Sequence, residues 1–263
     1  MDLGLKALRG LVTGGSSGLG KATAMLLAHE GARVAINSRD ESRLGEAAQE
    51  IKAASGGNVF TAVGDVSDPA TPEKIVNEAA TAMGGLDILV TNSGGPPTGA
   101  FADLEDQAWL QAIDLLFNSH RRLILAALPF LRKSQAASVL TITSISVKQP
   151  ISNLILSNTI RAATVALTKS LSQELAPSGI RFNSILPGWT ETDRVHDLLE
   201  SRAKANKRSK EEEIESQSKA TPLGRMGRPE EFANAAVFLL SPAASYLNGV
   251  MLPVDGGLYN GLF

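Results

Sequence analysis

The sequence predicts an α/β fold, a doubly wound parallel sheet in three layers (α/β/α), built as one domain over residues 1–263. Three observations carry this. Short apolar runs alternate with helical patterns along the whole chain, as strand–helix–strand units do. The runs are rich in β-branched residues and apolar on both faces, the pattern of strands covered by helices on each side. A glycine-rich turn joins the first run to the first helical pattern.

Strands are predicted at 8–13, 33–38, 59–63, 86–91, 138–143, 180–186 and 250–254. Between the first two, Leu19, Ala22, Thr23, Leu26 and Leu27 repeat at the spacing of a helix packed on a sheet, and Gly31 follows as its stop. Further helices are predicted at 41–55, 70–83, 105–133, 155–177 and 229–241. Residues 193–220 interrupt the rhythm with a highly charged segment of good helix formers. It reads either as a solvated helical hairpin or as an inserted cover over a substrate. No repeat, linker or low-complexity tract divides the chain.

Composition narrows the function. With 43% hydrophobic and 20% charged residues, the chain can bury a sizeable core. A net charge of −2 gives no reason to expect nucleic acid or an anionic membrane as partner. The absence of cysteine removes disulfides, thiolate catalysis and thiolate metal sites, and no metal is expected. No segment reaches the roughly 18 apolar residues of a membrane span, and the first residues lack the apolar core of a secretion signal. A cytoplasmic location is expected.

Thr13-Gly14-Gly15-Ser16-Ser17-Gly18-Leu19-Gly20 stands where strand gives way to helix. Glycines there permit a tight turn, and the helix N-terminus attracts a pyrophosphate. The T-G-x-x-x-G-x-G spacing resembles the short-chain dehydrogenase/reductase family, built on a Rossmann-type fold. Later motifs extend the resemblance over essentially the whole chain. Gly64-Asp65-Val66 is similar to the family's adenine contact, and Thr91-Asn92-Ser93-Gly94 to its N-N-A-G motif. Pro187-Gly188, followed by Thr190 and Thr192, resembles its nicotinamide loop. Pro222-Leu223-Gly224-Arg225 and Asp255-Gly256-Gly257 are closest to 3-oxoacyl carrier-protein reductases. The resemblance implies a nicotinamide dinucleotide held by Gly14, Ser16, Ser17, Gly18, Leu19, Asp65, Val66, Asn92, Ser93, Gly94, Pro187, Gly188, Thr190 and Thr192.

The choice of dinucleotide is read from the end of the second strand. An NAD enzyme places a carboxylate there for the ribose 2′-hydroxyl. This chain has Ser38 and Arg39 instead, and a guanidinium suits a 2′-phosphate. NADP(H) is therefore expected over NAD(H); the alternative for Arg39 is stacking over adenine or pairing with Glu41.

The reacting end departs from the family. The resemblance implies a Ser that holds the substrate oxygen, a Tyr that moves the proton, a Lys one turn later and an upstream Asn. Ser144 matches the serine. Thirteen residues on, in a stretch that aligns without gaps, the Tyr-x-x-x-Lys positions hold Ser157 and Arg161, and the Asn position holds Leu116. Moving a tyrosine from pKa 10 to neutrality takes about 4 kcal/mol. An alkyl hydroxyl starts higher still, so Ser157 cannot serve as that acid. Arg161 keeps the positive charge, and with it a grip on ribose hydroxyls, but passes no proton.

Lys148, in the substrate loop, is the candidate replacement if it is desolvated beside Arg161, Ile151 and Leu154; otherwise it is an ordinary loop lysine. Among the histidines, His29 is expected to face solvent, His120 to lie on an oligomer helix, and His196 to open the cover within possible reach of substrate. Tyr246 and Tyr259 read as packing or interface residues. The glycines and prolines of 94–99 predict a rigid pocket wall. Trp189 reads as packing or as a substrate platform.

The expected function is an NADP(H)-dependent oxidoreductase interconverting a small-molecule carbonyl and a secondary alcohol, with Ser144, Lys148, Arg161 and Ser157 as its catalytic candidates. The alternatives are a catalytically silent dinucleotide-binding sensor or scaffold, and another reaction on the same fold. Surplus apolar and small residues on the helices at 105–133 and 155–177 (Leu125, Ala126, Leu128, Phe130; Ala162, Ala163, Val165, Ala166, Leu167) predict a homodimer or homotetramer.

Overall fold

Seven parallel strands form one sheet in the computed structural model, which describes residues 1–262. They are β1 (Arg9–Val12), β2 (Arg33–Ser38), β3 (Val59–Val63), β4 (Ile88–Thr91), β5 (Ser138–Ile142), β6 (Arg181–Pro187) and β7 (Met251–Val254). Their order across the sheet is β3-β2-β1-β4-β5-β6-β7. The winding reverses between β1 and β4, which opens a crevice beyond the carboxyl ends of these strands. The expected strands are all present, trimmed by a residue or two at some ends, with β6 shifted one residue on, to Arg181–Pro187.

Alternation along the central strands divides the core. On β4, Ile88 and Val90 point to one apolar cluster, shared with Leu27, Val34, Leu44 and Phe232. Leu89 points to the other, with Leu11, Ile75, Leu123 and Phe182. Helices α1 (Gly18–His29), α2 (Glu41–Ser55) and α9 (Pro229–Leu240) cover the first face. Helices α3 (Thr71–Met83) and α5 (Ser119–Leu131) cover the second. Phe182 and Phe232 are fully enclosed, and truncating either to alanine is expected to cost about 3–5 kcal/mol.

Three helical expectations are revised. The segment at 105–133 is not one helix: α4 (Asp106–Ile113) runs into a π-helical turn at Asp114–Asn118 before α5 begins. Within that turn the Leu116 carbonyl is taken by the Thr164 hydroxyl at 2.7 Å, a side-chain partner that competes with the helical ladder. Helix α6 (Ile155–Glu174) stops before 177, where Pro177 has no N–H to continue the helical ladder and Ala176–Ser178 instead forms a 3-10 turn. Residues 193–220 form a hairpin of α7 (Asp193–Asn206) and α8 (Lys210–Ala220), the second started by a Ser209–Glu212 capping box. This hairpin is more than a solvated feature. Leu199 and Ala203 are buried, and α7 and α8 pack with Trp189 and Met226 through Val195, Leu198 and Ile214.

Candidate active site

At the β1–α1 turn the backbone folds so tightly that a Cβ on Gly20 would lie 2.1 Å from the Gly14 carbonyl. Only glycine tolerates that approach. Ser17, the N-cap of α1, makes no side-chain cap bond, and the first turn holds no acidic residue. The leading N–H groups are thus open to an anion, and the residues present fit a dinucleotide pyrophosphate. Asn92 secures this turn from β4. Its amide donates to the Gly14 carbonyl at 3.3 Å, and its backbone exchanges hydrogen bonds with the Thr13 hydroxyl at 2.7 and 2.9 Å.

From this turn a cleft of about 350 Å³ runs across the ends of β1, β4, β5 and β6. It brings together Gly14, Ser16, Ser17, Gly18, Leu19, Asn92, Ser93, Gly94, Ser144, Ser157, Arg161, Pro187, Gly188, Thr190 and Thr192. Ser38, Arg39, Asp65 and Val66 lie outside its lining. Ser38 is nonetheless joined to it, since the Ser16 hydroxyl donates to the Ser38 hydroxyl at 3.0 Å. The Arg39 side chain is 80% exposed, and its nearest carboxylate is Asp65, at 3.8 Å, rather than Glu41. Burial alone would raise the Asp65 carboxyl, yet hydrogen bonds from Ser67 and the charge of Arg39 leave it below the usual range. Val66 is buried in the core.

At the inner end of the cleft Arg161 dominates. Its side chain is held by the Ser157 hydroxyl (3.2 Å) and by the carbonyls of Ile142 (3.4 Å), Thr143 (3.3 Å) and Gly94 (3.1 Å). All four acceptors are neutral. Burial, and then the charge of Arg194, lower the guanidinium to about 10, so it stays charged at neutral pH. Ser144 lines the cleft at the end of β5, where its hydroxyl oxygen accepts the Ser146 N–H at 3.1 Å. Leu116, at the expected asparagine position, is wholly buried among Ala112, Leu156 and Ile160.

Lys148 is not desolvated beside Arg161. Its ammonium lies over the Tyr259 ring, 5.0 Å from the centroid, and Lys148 does not line the cleft. The short 3-10 turn at Ile145–Val147 carries it away, and the aromatic face supplies a partner for the charge. Tyr259 is accordingly next to the substrate loop, while Tyr246 is fully exposed. His196 is half-buried on α7 and does not line the cleft. The wall at 94–99 is pinned where the Gly99 N–H donates to the Asn153 carbonyl at 3.0 Å. Trp189 both lines the cleft and packs under the hairpin, with Arg202 4.7 Å from its ring centroid.

Two residues enter the site unannounced by the sequence. His120 points inward rather than to an interface, with Nδ1 at 2.8 Å from the Thr91 hydroxyl and Nε2 at 3.4 Å from that of Ser93. Each ring nitrogen of His120 thus has a hydroxyl partner inside the fold. Burial, and then the Arg161 charge, push the imidazole down to about 3, and it is neutral. Arg194 reaches across the cleft mouth to donate to the Pro96 carbonyl at 3.0 Å. The available signal was spacing alone, two residues past Thr192 in the charged segment.

Known proteins share this architecture from end to end. The family described as enoyl-(acyl carrier protein) reductase matches residues 14–259. L-Rhamnose 1-dehydrogenase (NAD(P)(+)) of Azotobacter vinelandii is 34% identical over 257 residues, 95% of each chain. The L-sorbose reductase of Gluconobacter frateurii, solved with NADPH and L-sorbose, superposes with a TM-score of 0.95 at 32% identity and full coverage of both chains. An NADPH-bound short-chain oxidoreductase of Pseudomonas aeruginosa PAO1, described as containing an atypical catalytic center, superposes with a TM-score of 0.87 at 33% identity, over 97% of this chain and 99% of that one. With the family model matching nearly the whole chain and these oxidoreductases aligning and superposing over almost its full length, the chain belongs to the short-chain dehydrogenase/reductase family.

Proposed function

We propose that this chain is an NADP(H)-dependent oxidoreductase that interconverts a carbonyl and a secondary alcohol, with Ser144 and Arg161 as the groups that face the reacting oxygen. The observation that carries the reading is the charged Arg161, buried with Ser157 and lining the same cleft as Ser144 and the glycine-rich turn. The nicotinamide, when bound, supplies or accepts the hydride. Ser144 already accepts the Ser146 N–H, which leaves its own O–H to donate to the substrate oxygen. Arg161 uses four of its five N–H groups on the protein and keeps one for a ribose hydroxyl or the substrate oxygen. Its charge stabilises an oxygen becoming negative in a site of low dielectric. Neither residue gives up a proton at neutral pH, so the proton that completes the alcohol comes from water in the cleft and returns to water in the reverse direction. Ser157 positions the guanidinium.

Ser38 and Arg39 support NADP(H) over NAD(H), since Arg39 is exposed and only loosely paired. The α7–α8 hairpin serves as the cover of the substrate end, its first turn lining the cleft and its underside seated on Trp189. The Pseudomonas relative, with an atypical center and bound NADPH, supports cofactor binding that outlasts changes at the reacting end. The silent-binder alternative makes the opposite forecast about turnover. The test is consumption of NADPH or NADH against a panel of ketones, aldehydes, ketoses and oxo acids, read at the nicotinamide absorbance. Turnover is expected, with NADPH binding at least about tenfold tighter than NADH, or about 1.4 kcal/mol. Tight NADPH binding with no turnover on any carbonyl, or on alcohols with NADP+, would leave the silent binder as the function.

A further inference from the structure

We infer that the substrate carries a carboxylate, and that Arg194 binds it at the mouth of the cleft while its carbonyl lies against Ser144. The inference deepens the oxidoreductase reading and rests on it.

Two guanidinium groups line this cleft, Arg161 at its inner end and Arg194 on the first turn of α7. Every hydrogen bond they make among the described residues goes to a neutral oxygen: the Ser157 hydroxyl, or the carbonyls of Ile142, Thr143, Gly94 and Pro96. Arg161 is buried, and a buried cation normally has an acid beside it, because removing an ion from water costs several kcal/mol; Arg194, exposed at the mouth, is the one of the two that an entering ligand can reach. The one acidic side chain on the lining, Asp193, does not play that part; it is 80% exposed and leans to Arg43 at 3.5 Å. The two positive charges are close enough that Arg194 lowers the affinity of Arg161 for its proton. An arrangement that repels itself and holds no acid is completed by an anion from outside.

That anion has two possible sources, the dinucleotide and the substrate. The pyrophosphate cradle is at Gly14–Gly20 and the start of α1, served by backbone N–H groups. Arg194 is seated elsewhere, on the loop that follows Ser93 and Gly94. Its guanidinium lies over Gly95 so closely that a Cβ there would stand 2.5 Å from Nη2. The residue is exposed on the outer side of the cleft, where a substrate must pass and a cofactor already seated need not. A planar guanidinium of this kind pairs with a carboxylate through two parallel hydrogen bonds.

The experiment uses the full chain loaded with NADP+, which binds in the cleft without turning over a carbonyl. Calorimetric titrations with acetoacetate and 2-oxobutyrate are compared with their methyl esters, for the wild type, Arg194→Gln and Arg194→Lys. The wild type is expected to bind the acids at least tenfold more tightly than the esters. Arg194→Gln should erase that preference, Arg194→Lys should restore part of it, and NADP+ affinity should change by less than twofold in both. Equal binding of acid and ester by the wild type overturns the inference. So does an Arg194→Gln variant that loses NADP+ affinity as strongly as acid affinity, since Arg194 is then a cofactor ligand. A chain that binds no NADP+ at all overturns the cofactor reading instead, a result told apart by the first titration.

Discussion

At the scale of residues, the Arg161 guanidinium is a fork that reaches four acceptors at once, which a compact ammonium could not do with the same geometry. The fork ties the ends of β4, β5 and α6 together through Gly94, Thr143 and Ser157. Its charge also acts on His120, which it helps to keep neutral. That linkage has a definite sign. An imidazole of about 3 in the folded chain and about 6.5 in the unfolded one binds fewer protons when folded between these values. Its contribution to stability is therefore whole above pH 6.5 and is lost as the pH falls towards 3, by up to about 1.4 kcal/mol for each pH unit. Thermal unfolding followed from pH 7.5 to 4.5 should lose stability more steeply for the wild type than for His120→Asn. Equal slopes would mean that His120 is not the buried neutral group described. Arg161 was marked in the sequence by its spacing from Ser144 and Ser157, and all three line the cleft. His120 was not, since helix periodicity gives an inward face but not the Thr91 and Ser93 hydroxyls that meet it there.

At the scale of elements, most strands and helices were legible because burial on both faces writes itself as continuous apolar runs. β5 is buried at all five residues and β4 at all four. The break between α4 and α5 was not legible. Its cause is a hydroxyl on another helix, Thr164, that takes the Leu116 carbonyl, and no local propensity encodes such a partner. The underside of the α7–α8 hairpin escaped notice for a similar reason. Leu199, with Val195 and Leu198 beside it, is a thin apolar edge in a charged segment, and Trp189 and Met226 complete it as a core. The outer faces of α4, α5 and α6 carry a further consequence. Leu110 and Leu125 are 57% and 60% exposed, and Ala162, Ala163 and Ala166 face outward, whereas Val165 belongs to the core. We read this apolar and small-residue face as a two-fold contact between copies of the chain. Light scattering at micromolar concentration should give a dimer or tetramer, and Leu125→Glu should shift it towards the monomer. A wild-type monomer under these conditions would contradict the reading.

At the scale of the whole molecule, the sheet reversal between β1 and β4 fixes where a ligand can bind, and the chain concentrates its polar side chains there. The nucleotide turn, the Asn92 strut and Ser144 were all visible as motifs, because each depends on residue type at a set spacing. The polar network of the reacting end was not, because it is assembled from β4, β5, α5, α6 and α7. Within it Arg161 supplies a buried positive charge, and the proposed function rests on that charge acting electrostatically on the reacting oxygen. The most direct test is single-turnover hydride transfer from pre-bound NADPH to a carbonyl substrate, compared between the wild type and Arg161→Met. The variant's rate is expected to fall by about 100-fold or more, the usual cost of losing one charge-stabilising donor, with NADPH still bound. A variant that transfers hydride within threefold of the wild-type rate would contradict it.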